Sequence, residues 1–122
     1  MKLLRLRGRK VCEKVLRQGL LWKGKNMHIR YIVGTPRHPA ADPAVAAVYI
    51  GMLASTKLDK SAVKRNRMRR RCREAWRLLM QHAEKMPTVQ LLISPRSTSL
   101  SAPFEDIQKD AELFTTYLRS HA

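Results

Sequence analysis

The 122-residue chain has little of several things that would define its chemistry. It has only two cysteines, Cys12 and Cys72, far apart and outside any Cys-x-x-Cys spacing. That excludes a disulfide-stapled scaffold and points to reduced, semi-buried thiols. No apolar run approaches the ~20 residues that span a bilayer. Met1 to Lys10 is basic and lacks the apolar stretch of a signal peptide, so a cytoplasmic location with no membrane partner is expected. His28, His38, His82 and His121 are scattered without metal-ligand spacing, and no protein-bound metal is expected. There is no phosphate-binding glycine loop, internal repeat or low-complexity tract. Acidic residues are scarce: 9 Asp and Glu stand against 25 Lys and Arg, a formal charge of +16. A folded chain of that charge repels itself unless a polyanion is near. Nucleic acid is the first candidate, because each neutralised phosphate releases counterions.

Periodicity then orders what is present. Val11, Cys12, Val15 and Leu16 recur at helical spacing between Arg9 and Gln18, with Gly19 as a stop. Met27, Ile29, Tyr31 and Val33 alternate with His28 and Arg30, as in a strand with one wet side. The apolar run Ala44 to Leu53 suits a strand covered on both faces. A long helix is predicted from about Lys60 to Glu84, ended by Met86-Pro87. A short strand follows at Val89 to Ile93, then a helix from about Pro103 to Arg119 with Ser101 as its cap. Glu105, Asp106 and Asp110 sit toward that helix's positive end, so their role is read as dipole complementation rather than acid–base chemistry. This order implies one α+β domain over residues 1–122, a small sandwich of helices on a mixed sheet.

The long helix carries the candidate function. Between Lys57 and Arg77 stand ten basic residues and only Asp59 and Glu74, a net +8 that is half of the chain's excess charge. On a helical wheel Met68, Cys72, Ala75, Trp76 and Leu79 form one arc, suited to docking on the sheet. Asn66, Arg70, Arg73 and Arg77 form another, flanked by Arg67 and Arg69; Arg65 lies at the apolar border. Lys57, Lys60 and Lys64 lead into it. Guanidinium forks grip phosphate through paired hydrogen bonds and stack on unpaired bases. Asn66 adds a donor and an acceptor for a base edge or a 2′-hydroxyl, which favours folded RNA over plain charge attraction. A solvated helix face would need i,i+4 acidic partners that are missing here. A leucine-zipper basic region would need leucine heptads downstream, where Pro87 and a strand pattern stand instead.

The run from Lys57 through Ala62, Val63, Arg65-Asn66-Arg67, Arg69, Arg70 and Arg73-Glu74-Ala75 resembles the signature of the bacterial ribonuclease P protein family, with Trp76 where Phe is usual. Val15, Gly19, Gly51 and Ile93 to Arg96 extend the likeness. The resemblance implies an α-β-β-β-α-β-α sandwich with a left-handed βαβ crossover through the Arg-Asn-Arg helix. It implies an accessory subunit of a ribonucleoprotein endoribonuclease, with one protein per ribonuclease P RNA and precursor tRNA as substrate. Catalysis would belong to the RNA, with Mg²⁺ held mainly by that RNA, and no catalytic residue in the protein. It further implies a cleft for the 5′ leader between the first helix and the sheet. There Cys12, Leu16, Met27 and Arg30 occupy places often aromatic in the family, so leader contact is expected to be weaker or more electrostatic. The alternative is a non-catalytic RNA-binding protein, such as a ribosomal component or an RNA chaperone.

Overall fold

The alternation around Met27 is realised as strand β3 (Met27–Val33), and its parity sorts the whole molecule into two layers of helix around one sheet. The computed structural model describes residues 1–83 and 85–121; Glu84, the expected end of the long helix, lies outside them. The elements are β1 (Lys2–Arg5), α1 (Arg9–Gln18), β2 (Leu20–Lys23), β3, β4 (Ala47–Met52), α2 (Ala62–His82), β5 (Val89–Pro95) and α3 (Phe104–His121). A 3₁₀ turn at Ser97–Leu100 precedes α3. The described strands form a five-stranded sheet in the order β1-β4-β5-β3-β2. β1, β4 and β5 run parallel, while β3 is antiparallel to β5 and β2 to β3. The parallel neighbours β4 and β5 are joined through α2, so the basic helix is itself the crossover.

The anticipated α-β-β-β-α-β-α order therefore holds, with one strand added ahead of it. β1 was not anticipated from the sequence. Periodicity did not show β2 either, which only the family resemblance implied, because each is only four residues long and largely exposed. α3 begins at Phe104, three residues past Ser101, so Ser101 is too far out to cap it. Asp110 also departs from its expected dipole role. It is buried, and its Oδ2 accepts a hydrogen bond from the backbone N–H of Asn26 at 2.6 Å, tying α3 to the β2–β3 turn.

One face of the sheet carries Met27, Ile29 and Tyr31 of β3 with Val89, Leu91 and Ile93 of β5, Val48 and Ile50 of β4. Cys72, Ala75, Trp76 and Met80 of α2 and Ile107, Ala111, Phe114 and Leu118 of α3 pack on it. Phe114 is the hub: Trp22, Tyr31 and Trp76 all meet its ring edge-to-face, at 5.4, 5.2 and 5.9 Å between centroids. The other face is covered only in part, where Val11 and Val15 of α1 pack on Leu6, Ala47, Tyr49 and Leu92. Gly19 ends α1 because a Cβ there would lie 2.4 Å from the Val15 carbonyl oxygen.

Burial also sets an alkaline limit. Cys72 is on the buried side of α2, and desolvation pushes its thiol from 9.0 up to about 12, against the pull of the Ser99 hydrogen bond. The neutral thiol's contribution to stability is complete below pH 9.0 and is lost as pH climbs toward 12. Under reductant, Cys72→Ala should lose less stability than the parent chain between about pH 8 and about pH 10.5 in urea melts. Parallel losses would show that another group sets the alkaline limit.

Candidate nucleic-acid interface

Helix α2 starts at Ser61, whose hydroxyl accepts from the Lys64 backbone N–H at 3.3 Å; Asp59 Oδ1 accepts from the Ser61 N–H at 2.8 Å. Its first turn has no acidic residue. Lys60 and Lys64 stand instead against the positive end of the helix dipole, a local cost that only an anion relieves. Met68, Cys72, Ala75, Trp76 and Met80 are buried, so the docking arc read from the wheel is the one used, with Met80 deeper than Leu79.

The basic residues divide into two sets. Arg65 folds back onto the carbonyls of Asp59 and Lys60 at 2.9 and 3.1 Å, bracing the approach to the helix. Arg69 donates to the Ala54 carbonyl at 2.7 Å and to Asn66 Oδ1 at 2.8 Å. That bond fixes the Asn66 amide with its NH₂ outward, so Asn66 offers a donor first. Arg67 donates to the Leu100 carbonyl at 3.3 Å, and Arg77 Nε to Glu74 at 2.9 Å. The Arg77 guanidinium beside Glu74 holds that carboxyl below its ordinary value. Among the described residues, the side chains of Lys57, Lys60, Lys64, Arg70 and Arg73 make no hydrogen bond or ion pair, and all five are exposed.

Arg71 behaves unlike its neighbours. Its guanidinium donates to the carbonyls of Ser99 and Ala102 at 2.7 and 2.6 Å, clamping the 3₁₀ turn to α2. Charge counting could not separate it from Arg70. Its wheel position, on the side away from Asn66 and Arg73, was the available signal. Arg71→Ala should cost about 1–3 kcal/mol in urea unfolding and leave the salt slope of RNA binding unchanged. A lowered slope with unchanged stability would place Arg71 among the RNA contacts instead.

A groove of about 730 Å³ runs along the β1–β4 side of the sheet. Its floor is aliphatic, from Leu4, Leu6, Met52, Leu53 and Leu92; Cys12 of α1 and Arg69 and Arg73 of α2 also line it. Burial holds the Cys12 thiol above its ordinary value, against the pull of Arg5. Leu16, one turn further along α1, is 44% exposed. Arg30 lies on the α1 side of β3, opposite the face that carries Met27, Ile29 and Tyr31.

Met27 does not belong to this cleft. It is 0% exposed in the core beneath α2 and α3, on the other side of the sheet. Alternation alone puts Met27 and Arg30 on opposite faces, so the two could never line one cleft. The residues that do join Arg30 were missed. Lys23 pairs across from His28, and Arg96 follows β5; burial and then Arg96, Lys23 and Arg30 hold His28 below its ordinary value.

Among the described residues no three His, Cys, Asp or Glu side chains are grouped to hold a metal ion, and no helix is long and apolar enough to cross a membrane. A bound Mg²⁺ does not fit a surface of free lysines and arginines.

A mixed sheet crossed by a helix with outward guanidinium groups defines a small α+β RNA-binding protein. The ribonuclease P family model matches residues 1–118, and the chain belongs to that family. Solved structures agree on the fold. The RNase P protein of Thermotoga maritima superposes with a TM-score of 0.70 at 16% identity, over 93% of this chain and 96% of that one. That of Staphylococcus aureus gives 0.68 at 16% identity, over 94% and 96%.

Proposed function

We propose that the chain is the protein subunit of ribonuclease P, binding the catalytic RNA through α2 and supporting 5′ maturation of precursor tRNA. The observation that carries this reading is the set of five unpartnered cations on and before a helix in a chain matched over residues 1–118 by the ribonuclease P family. Lys57, Lys60, Lys64, Arg70 and Arg73 take phosphates. Arg65, Arg67, Arg69 and Arg77 keep further donors beyond their internal bonds, since each guanidinium has five. Asn66 offers its amide NH₂ to a 2′-hydroxyl or a base edge. The RNA performs the hydrolysis and holds the Mg²⁺; the protein contributes charge and position, one copy per RNA, in the cytoplasm.

The test is reconstitution. The protein is mixed with a bacterial ribonuclease P RNA and precursor tRNA at low Mg²⁺. Cleavage above the level of RNA alone is expected, and no rise would overturn the subunit reading in favour of a non-catalytic RNA-binding role.

The 5′ leader is held beside α1, near Cys12, Leu16 and Arg30, with Lys23 and Arg96 adding charge. Aromatic stacking contributes ~1–3 kcal/mol per base, and α1 presents no ring there. Changing Cys12 and Leu16 together to Phe should tighten precursor tRNA at least tenfold and leave mature tRNA binding unchanged. Equal effects on both RNAs would place the leader elsewhere.

A further inference from the structure

The α1 face of the sheet holds a second cavity, of about 260 Å³, between β1 and the loop after β3. Leu4, Pro36 and the ring of Tyr49 make an apolar wall, while Arg5, Arg7 and His38 line the rest. Its polar groups are arranged rather than scattered. The Ala40 backbone N–H donates to His38 Nδ1 at 3.0 Å, so the neutral imidazole carries its proton on Nε2 as an outward donor. Gly8 makes room for that ring: its φ is +94°, and a Cβ there would lie 3.0 Å from His38 Cδ2. The Tyr49 hydroxyl is buried without a partner among the described residues, so Tyr49 meets the cavity through its ring. Leu4 and Arg5 also line the groove that reaches Arg69 and Arg73, so the cavity adjoins the basic helix's own channel.

We propose that this cavity binds a single nucleotide unit, its phosphate on Arg5 and Arg7 and its base against Leu4, Pro36 and Tyr49. Two guanidiniums suit a phosphate in forked geometry. A flat apolar wall beside one imidazole donor suits a base, and the volume is too small for an oligonucleotide. The site uses no α2 side chain and lies beyond the groove of Cys12, Arg69 and Arg73, with which it shares Leu4 and Arg5. It would take either a nucleotide of a bound RNA chain or a free nucleoside monophosphate.

The test follows the His38 and Tyr49 ring resonances of the full-length chain by NMR during titration with uridine 5′-monophosphate, inorganic phosphate and the trinucleotide UpUpU. The monophosphate should move both rings, and inorganic phosphate should bind more weakly. Ala41→Trp fills the cavity without removing charge and should weaken the monophosphate at least tenfold, with α2 amide shifts unaffected; His38→Ala, followed on the Tyr49 ring, carries the same test if that variant does not fold. Tighter binding of UpUpU assigns the occupant to an RNA chain, and equal binding assigns it to a free nucleotide. The proposal is overturned if phosphate alone reproduces the ring shifts. It is equally overturned if the rings stay still while α2 responds, or if Ala41→Trp binds as the parent does.

Discussion

Removing the five exposed cations Lys57, Lys60, Lys64, Arg70 and Arg73 together should lower the slope of log K against log salt by about four units for ribonuclease P RNA. Each phosphate contact contributes about 0.7–0.9 to that slope. None of the five side chains is engaged within the described protein, so each is free to make one contact. Across a fourfold rise in salt the parent should therefore lose roughly two orders of magnitude more affinity than the variant. Binding isotherms at several salt concentrations give both slopes directly. Stability should hold or rise, because Lys60 and Lys64 oppose the dipole of the helix they begin. A slope that falls by less than one unit would mean the RNA docks on a different face.

The second large effect lies under the same helix. Trp76 is 0% exposed, meets Phe114 edge-to-face at 5.9 Å, and joins α2 to both the sheet and α3. Trp76→Ala should cost about 3–5 kcal/mol, seen as a lower urea midpoint with a similar m-value. The indole carries a liability too, since its Nε1–H is buried with no partner among the described residues. Trp76→Phe removes that donor along with part of the volume, and the two changes oppose each other. It should cost less than about 1.5 kcal/mol. If Phe proves as damaging as Ala, ring volume does not govern the site and the indole N–H contributes to stability instead of carrying a penalty.

What the sequence disclosed follows from which signals are periodic. The limits of α1 and β3, and the buried arc of α2, came from spacing, because packing on one face forces apolar residues to recur. Four-residue strands leave no such trace: β1 and β2 exist through their pairing with β4 and β3, a non-local fact. The charge of the site was plain from composition, yet its division was not. Arg70 and Arg71 are adjacent and chemically identical, and only the position of the Ser99 and Ala102 carbonyls makes one a clamp and leaves the other free. Met27 is the opposite case. Its alternation with Arg30 already placed it in the core, and assigning both to one cleft followed the family pattern against the strand's own geometry.

The strand order has a consequence for how the chain reaches this state. β5 lies in the middle of the sheet, between β4 and β3, yet it is the last strand in the chain. Until residues 89–95 arrive, β1–β4 and β2–β3 are two separate pairs with no hydrogen bonds between them. Such long-range pairing is slow, because loop closure precedes any gain from contacts. During synthesis the basic helix emerges before the strand that completes its docking surface, so its apolar arc has only half a sheet to pack on until β5 follows.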